Sequence, residues 1–210
     1  FGGRTAGGMK SQHLYICTPD GDIKKHPAQA GKHWPCAREG HGAVCMEGSF
    51  FIFGGRGEDN MCLNDCHRFC LKSRAWEAVT VTGSMPCPRG LGLLAGYKHS
   101  LFLFGGRSTY PTGRYVSLDE TCVWELQLDT SMSQGTWLCH KPTGSPPLAR
   151  ASFGVAFVRG SMLLLWGGRI VDQASTSDSS GEFVGLDLSQ MEWLDTRLNT
   201  SAEAVALGFS

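Results

Sequence analysis

The chain has 210 residues, enough for one domain with a real core, and its 41% hydrophobic content lies near the globular average, which excludes a disordered segment. Lysine plus arginine and aspartate plus glutamate both number 19, so no whole-chain field attracts nucleic acid or an anionic membrane. Glycine stands out at 28 residues, and glycine with aromatics but no long helical periodicity predicts short strands joined by tight turns.

In chain order, four places carry an apolar run that stops at two glycines and an arginine: Phe1-Gly2-Gly3-Arg4, Phe53-Gly54-Gly55-Arg56, Phe104-Gly105-Gly106-Arg107 and Trp166-Gly167-Gly168-Arg169. The second glycines are spaced 52, 51 and 62 residues apart. Trp76, Trp137 and Trp193 recur downstream of the pairs, with Ile23 in that place first. From this marker to the next second glycine the distances are 32, 30 and 31, whereas from glycine to marker they are 20, 21, 31 and 25. Length variation confined to one segment is what insertion into a surface loop produces.

Each unit reads as four strands. The first two are predicted over 42–46 and 50–53, 91–96 and 100–104, and 152–158 and 162–166. The third are predicted over 13–17, 65–71, 122–128 and 183–188. The fourth carry the marker, over 22–26, 75–81, 136–140 and 191–197. Between units a phrase recurs, Pro35…Arg38, Pro88-Arg89 and Pro147…Arg150, whose prolines end the outer strand. The units span roughly 1–34, 35–86, 87–147 and 148–200, with a partial fifth over 201–210.

Tandem units of this length, with four strands, a double glycine (Gly2-Gly3, Gly54-Gly55, Gly105-Gly106, Gly167-Gly168) and a distal tryptophan, closely resemble kelch repeats. The resemblance implies an all-β propeller of four-stranded blades around a central channel, here about three and a half blades, read as part of a five- to seven-bladed ring. Ile23 in place of tryptophan, and a first-strand histidine at His41 only, depart from the pattern.

The glycine pairs read as crowded strand ends rather than phosphate loops, because no Gly-x-Gly-x-x-Gly or helix start follows. Arg4, Arg56, Arg107 and Arg169 open the loop between second and third strands. In kelch propellers that loop faces one mouth of the channel, where guanidinium forks suit an acidic peptide. The inserted loop 108–120, with Tyr110, Arg114 and Tyr115, has the content of a contact surface, and 170–182 reads as a solvated loop. Cys62, Cys66 and Cys70 with His67 form the densest group of metal-ligand types. Strand alternation puts Cys66 and Cys70 on one side and His67 on the other, so no metal or other cofactor is expected.

Enzymatic kelch relatives give a negative test. The Glu-x-x-x-Asp-x-x-x-His pattern is approached only at Glu125-Asp129-Ser133, and no nucleophile elbow or paired-carboxylate site is visible. The expectation is a non-catalytic interaction module that binds a protein or acidic peptide. The alternative is an accessory kelch domain of a larger enzyme. The chain opens without a leader-like pattern, and its longest apolar run, 162–166, is too short to span a bilayer. Nine irregularly spaced cysteines predict reduced thiols in a cytoplasmic or nuclear protein.

Overall fold

The computed structural model describes residues 1–27, 32–109, 115–117, 122–152, 154–170 and 183–194, and the described residues are all-β. The first sheet is the hairpin β1 (Leu14–Cys17) and β2 (Ile23–His26). The second blade runs β3 (Gly42–Met46), β4 (Ser49–Phe53), β5 (Cys66–Cys70) and β6 (Ala75–Ala78), antiparallel in that order. Glu47 and Gly48, both at positive φ, make the two-residue turn that suits the twist of the β3–β4 hairpin.

The fourth strand of this unit, expected to be continuous over 75–81, is instead broken. Val79 donates its N–H to Cys66 in its own blade, and the next residue, Thr80, donates to Ser133 of the neighbouring blade. From there β7 (Thr80–Gly83) runs parallel to the outer strand of the third blade. That blade contains β8 (Leu93–Tyr97), β9 (Ser100–Phe104), a side hairpin of β10 (Arg107–Thr109) and β11 (Tyr115–Ser117), then β12 (Val123–Leu128) and β13 (Gln134–His140). Its order is β7-β13-β12-β9-β8, five strands rather than four.

The fourth blade repeats the device. Its members are β14 (Thr143–Gly144), β15 (Arg150–Ala151), β16 (Gly154–Arg159), β17 (Met162–Trp166), β18 (Arg169–Ile170), β19 (Phe183–Asp187) and β20 (Glu192–Leu194). β14, from the unit before, is its fifth strand, and β15 pairs with β18. The short register with one residue beyond a sheet's own outer strand was invisible in the sequence, because Thr80–Gly83 carries no apolar alternation of its own.

The core lies between blades. Phe53 of blade two meets Trp137 of blade three at 5.3 Å, Phe104 of blade three meets Trp193 of blade four at 5.0 Å, and Phe1 meets Trp76 at 5.0 Å. These edge-on and tilted contacts are the favoured geometry for aromatic pairs. The three tryptophans are nearly fully buried, and among the described residues no indole N–H of theirs has a hydrogen-bond partner. Size and shape rather than polarity select tryptophan as the marker.

Candidate functional site

β3 and β4 are antiparallel with Gly42 opposite Phe53, so the double glycines and the interblade linkers meet at one end of the blades. All four glycine pairs sit at positive φ. A Cβ on Gly54 would lie 2.5 Å from the Arg89 carbonyl oxygen, and one on Gly55 would lie 2.8 Å from that of Glu39. At Gly54 and Gly55 a side chain would collide with main-chain carbonyls, and the positive φ of every pair favours glycine.

What packs against them was missed in the sequence. Arg38, Arg89 and Arg150, from the recurrent phrase between units, are at most 1% exposed. Each donates Nη1 to the carbonyl of its own blade's first glycine: Arg38 to Gly54 at 3.0 Å, Arg89 to Gly105 at 3.2 Å and Arg150 to Gly167 at 3.2 Å. Each main-chain carbonyl accepts from the second glycine of the preceding blade, namely Gly3 at 2.9 Å, Gly55 at 2.8 Å and Gly106 at 3.1 Å. One residue thus ties two blades, and its recurrence with the prolines was the signal available in the sequence. Arg38 is also held by a bidentate pair to Asp65 at 2.6 and 2.8 Å. Burial pushes the Asp65 carboxyl up, but the bonds from Arg38 and His67 outweigh it and hold it well below the usual carboxylate range.

The residue two places after each buried arginine is left-handed: Gly40 at +61°, Leu91 at +58° and Ser152 at +61°. Leu91 N–H donates to the Gly40 carbonyl, and Ser152 N–H to that of Leu91, so a row of main-chain bonds runs from blade to blade. This row explains why the first strands begin at Leu93 and Gly154, two residues later than their apolar runs suggest.

The expected arginines fall into this frame differently. Arg4 grips Glu39 with two bonds, at 2.8 and 2.6 Å, and Arg56 donates to the same carboxylate at 2.9 Å. The hydrogen bond from Arg4, opposed by burial and aided by the charges of both arginines and the bond from Arg56, lowers the Glu39 pKa to about 2. Arg56 and Arg107 are paired through their main chains with Glu39 and Gly90, and Arg169 with Ala151, so the three arginines recur at one structural place. The structure brings Arg4 and Arg56 together across a blade junction. Tyr110 and Arg114 lie outside the described residues, and Tyr115 begins β11, opposite Thr109.

Beside this row, a cavity of about 450 Å³ lies between β3 and β8, lined by His41, Val44, Leu91, Leu94 and Ser152 among others. His41 is held neutral, its pKa lowered to about 4 by burial first and then by the positive charges of the Phe1 amino group and Arg38. The possible metal ligands are divided as strand alternation requires. Cys66 is buried in the core with Phe51 and Phe53, whereas His67 turns to Asp65 at 2.7 Å and to His33 at 2.8 Å. Cys62 reaches Thr109 of the next blade.

A ring-like succession of sheets, a glycine pair closing each second strand and a tryptophan packed on the preceding blade define a β-propeller built of kelch repeats. Residues 1–206 match the KLHDC2/KLHL20/DRC7 Kelch-repeats domain, and the chain belongs to the kelch-repeat family, a class of protein-interaction modules. It is 30% identical over 132 residues to the leucine-zipper-like transcriptional regulator 1 homolog of Drosophila melanogaster, covering 62% of this chain and 13% of that one. It is 29% identical to Kelch domain-containing protein 3 of Bos taurus, covering 64% and 33%, and 28% identical to the Rab9 effector protein with kelch motifs of Bos taurus, covering 64% and 35%. The chain therefore spans about a third or less of the curated relatives it matches first. Among solved structures, that of YjhT superposes with a TM-score of 0.60 at 14% identity over 87% of this chain and 58% of that one, a likeness of fold.

Proposed function

We propose that the chain is a partner-recognition domain, without catalytic chemistry of its own, that holds a protein segment at the end of the propeller where the double glycines lie. The observation that carries this reading is the Arg4–Glu39–Arg56 cluster, a hydrogen-bonded row of charge across a blade junction next to the cavity of His41 and Ser152. The buried arginines fix the main chain there, so the side chains above it are preorganised and lose little freedom on binding. The main chains of Arg107 and Arg169 recur at the place of Arg56, and an acidic segment of the partner competes with Glu39 for the guanidinium forks of Arg4 and Arg56. Relatives support an interaction role: one is named as a Rab9 effector with kelch motifs.

The test is affinity capture from cell extract with the chain and two variants. A partner recovered by the parent and by Lys24→Ala, on the outer strand β2, but lost with Arg56→Ala/Arg107→Ala, supports recognition at this end. Equal recovery by both variants removes the reading.

A further inference from the structure

The recurrent phrase between units holds a second regularity beside its arginine. It reads Pro35-Cys36-Ala37-Arg38, Pro86-Cys87-Pro88-Arg89 and Pro147-Leu148-Ala149-Arg150. In each, the arginine Nε donates to the carbonyl two residues earlier, that of Cys36 at 3.3 Å, Cys87 at 3.2 Å and Leu148 at 3.0 Å. Where that residue is cysteine, the same guanidinium also donates Nη2 to its sulfur, at 3.2 Å for Cys36 and 3.3 Å for Cys87. A buried arginine thus holds main chain and thiol together, in two places 51 residues apart.

The interblade tie does not require the thiol. Arg150 keeps its bonds to the Leu148 and Gly167 carbonyls with no sulfur at that place. Nor is the place a hidden one, since Cys36 and Cys87 are exposed and Leu148 is 64% exposed. Cys87 lies at an interior junction, between blades two and three, so its exposure belongs to the junction itself.

A cysteine attacks through negatively charged sulfur, and a guanidinium that donates to the sulfur from a part-buried position supports that charge. The donor is already in place, because the Gly54 carbonyl and Asp65 hold Arg38, and the Gly105 carbonyl holds Arg89. Among the described residues no cation donates to Cys17 or Cys45, though both are exposed, and Cys66 is sealed in the core.

We propose that Cys36 and Cys87 are sites of oxidation by hydrogen peroxide, each forming a sulfenic acid beside its arginine. The sulfur attacks one peroxide oxygen, and the S–O bond forms as the O–O bond breaks. The departing hydroxide takes the thiol proton and leaves as water. Two electrons pass from sulfur to the peroxide, and the arginine keeps its proton throughout.

The experiment is brief exposure of the reduced full chain to hydrogen peroxide with dimedone, which captures sulfenic acids, followed by peptide mass spectrometry. Cys36 and Cys87 should be captured about tenfold or more faster than Cys17 and Cys45, and the difference should vanish in denaturing urea. Leu148→Cys puts a thiol at the third, exposed place while leaving the Arg150 tie intact, and that thiol should react as fast as Cys36 and Cys87. Capture of Cys36 or Cys87 at the rate of Cys45 overturns the proposal. So does a thiol at position 148 that reacts no faster than Cys45, because the guanidinium is present there. A preference that survives in urea overturns it too, since its cause would then be the local sequence and not the fold.

Discussion

The N–H of Gly55 donates to the carbonyl of Arg89 at 2.8 Å, so a glycine of one blade is held by an arginine whose side chain is buried in the next. The Arg89 guanidinium meanwhile satisfies the Gly105 carbonyl. Removing it leaves that carbonyl unpaired and a void at the junction, so Arg89→Met should cost about 3–5 kcal/mol in urea unfolding. Lysine is a point donor without the fork, and Arg89→Lys should recover less than half of the loss. Lys24→Met on the exposed strand β2 should stay within about 0.5 kcal/mol. Equal costs at Arg89 and Lys24 are incompatible with the tie.

Trp137 contributes area but no hydrogen bond. Trp137→Ala should therefore destabilise by about 3–5 kcal/mol, while Trp137→Phe should cost clearly less, about 1–2 kcal/mol, since it removes a buried unpaired N–H along with part of the ring. Denaturant midpoints of the two variants test this, and indistinguishable values would show that the N–H has a partner in solution.

Ser152 holds a left-handed backbone that glycine adopts without strain, and its side chain is exposed. Ser152→Gly should leave the protein as stable or raise stability by up to ~1 kcal/mol, despite the extra freedom glycine gives the unfolded chain. Gly40→Ser at the equivalent position should do the reverse. Thermal midpoints of both variants give the comparison, and a large loss in Ser152→Gly refutes the strain assignment.

His41 is neutral in the fold with its pKa lowered to about 4, whereas an unfolded histidine titrates near 6.5. Between those values the unfolded chain binds more protons, so stability rises with pH across that window and is lost as pH falls through it. His33, also lowered by burial and then by His67, adds in the same direction. Urea unfolding at intervals from pH 4 to 7 should give this slope, and His41→Gln should remove most of it. Asp65, lowered instead by its bonds, contributes stability above about pH 4 that is lost on further acidification, and Asp65→Asn should blunt that lower arm.

Much of this architecture was legible because glycine pairs and tryptophans recur with the geometry of the blades. Gly54 admits no Cβ beside Arg89 and Leu63, and the indole of Trp137 packs edge-on against Phe53. The inner strands were found nearly to the residue, apart from starts displaced by the left-handed Leu91 and Ser152. β7 was not legible, since a strand of Thr-Val-Thr-Gly whose value lies in main-chain bonds to another blade has no local pattern to read. At the double-glycine end, the sequence singled out Arg4, Arg56, Arg107 and Arg169 and passed over the buried Arg38, Arg89 and Arg150. A repeated arginine beside proline has the same appearance whether it faces solvent or a carbonyl, and only burial separates the two. Glu39, which binds Arg4 and Arg56 together, occurs in one unit alone and so left no periodic trace.

The parallel strands β7 and β14 put the repeating sentence of the sequence out of phase with the sheet by one strand. Copying residues 35–86 in tandem would therefore not append a self-contained module. The new unit would receive a strand from its predecessor and hand one to its successor, leaving no raw edge between them. The same overlap forbids clean excision: a protease cut within 80–83 would release no blade, because each side retains part of the other. Junctions assembled this way behave as one fabric.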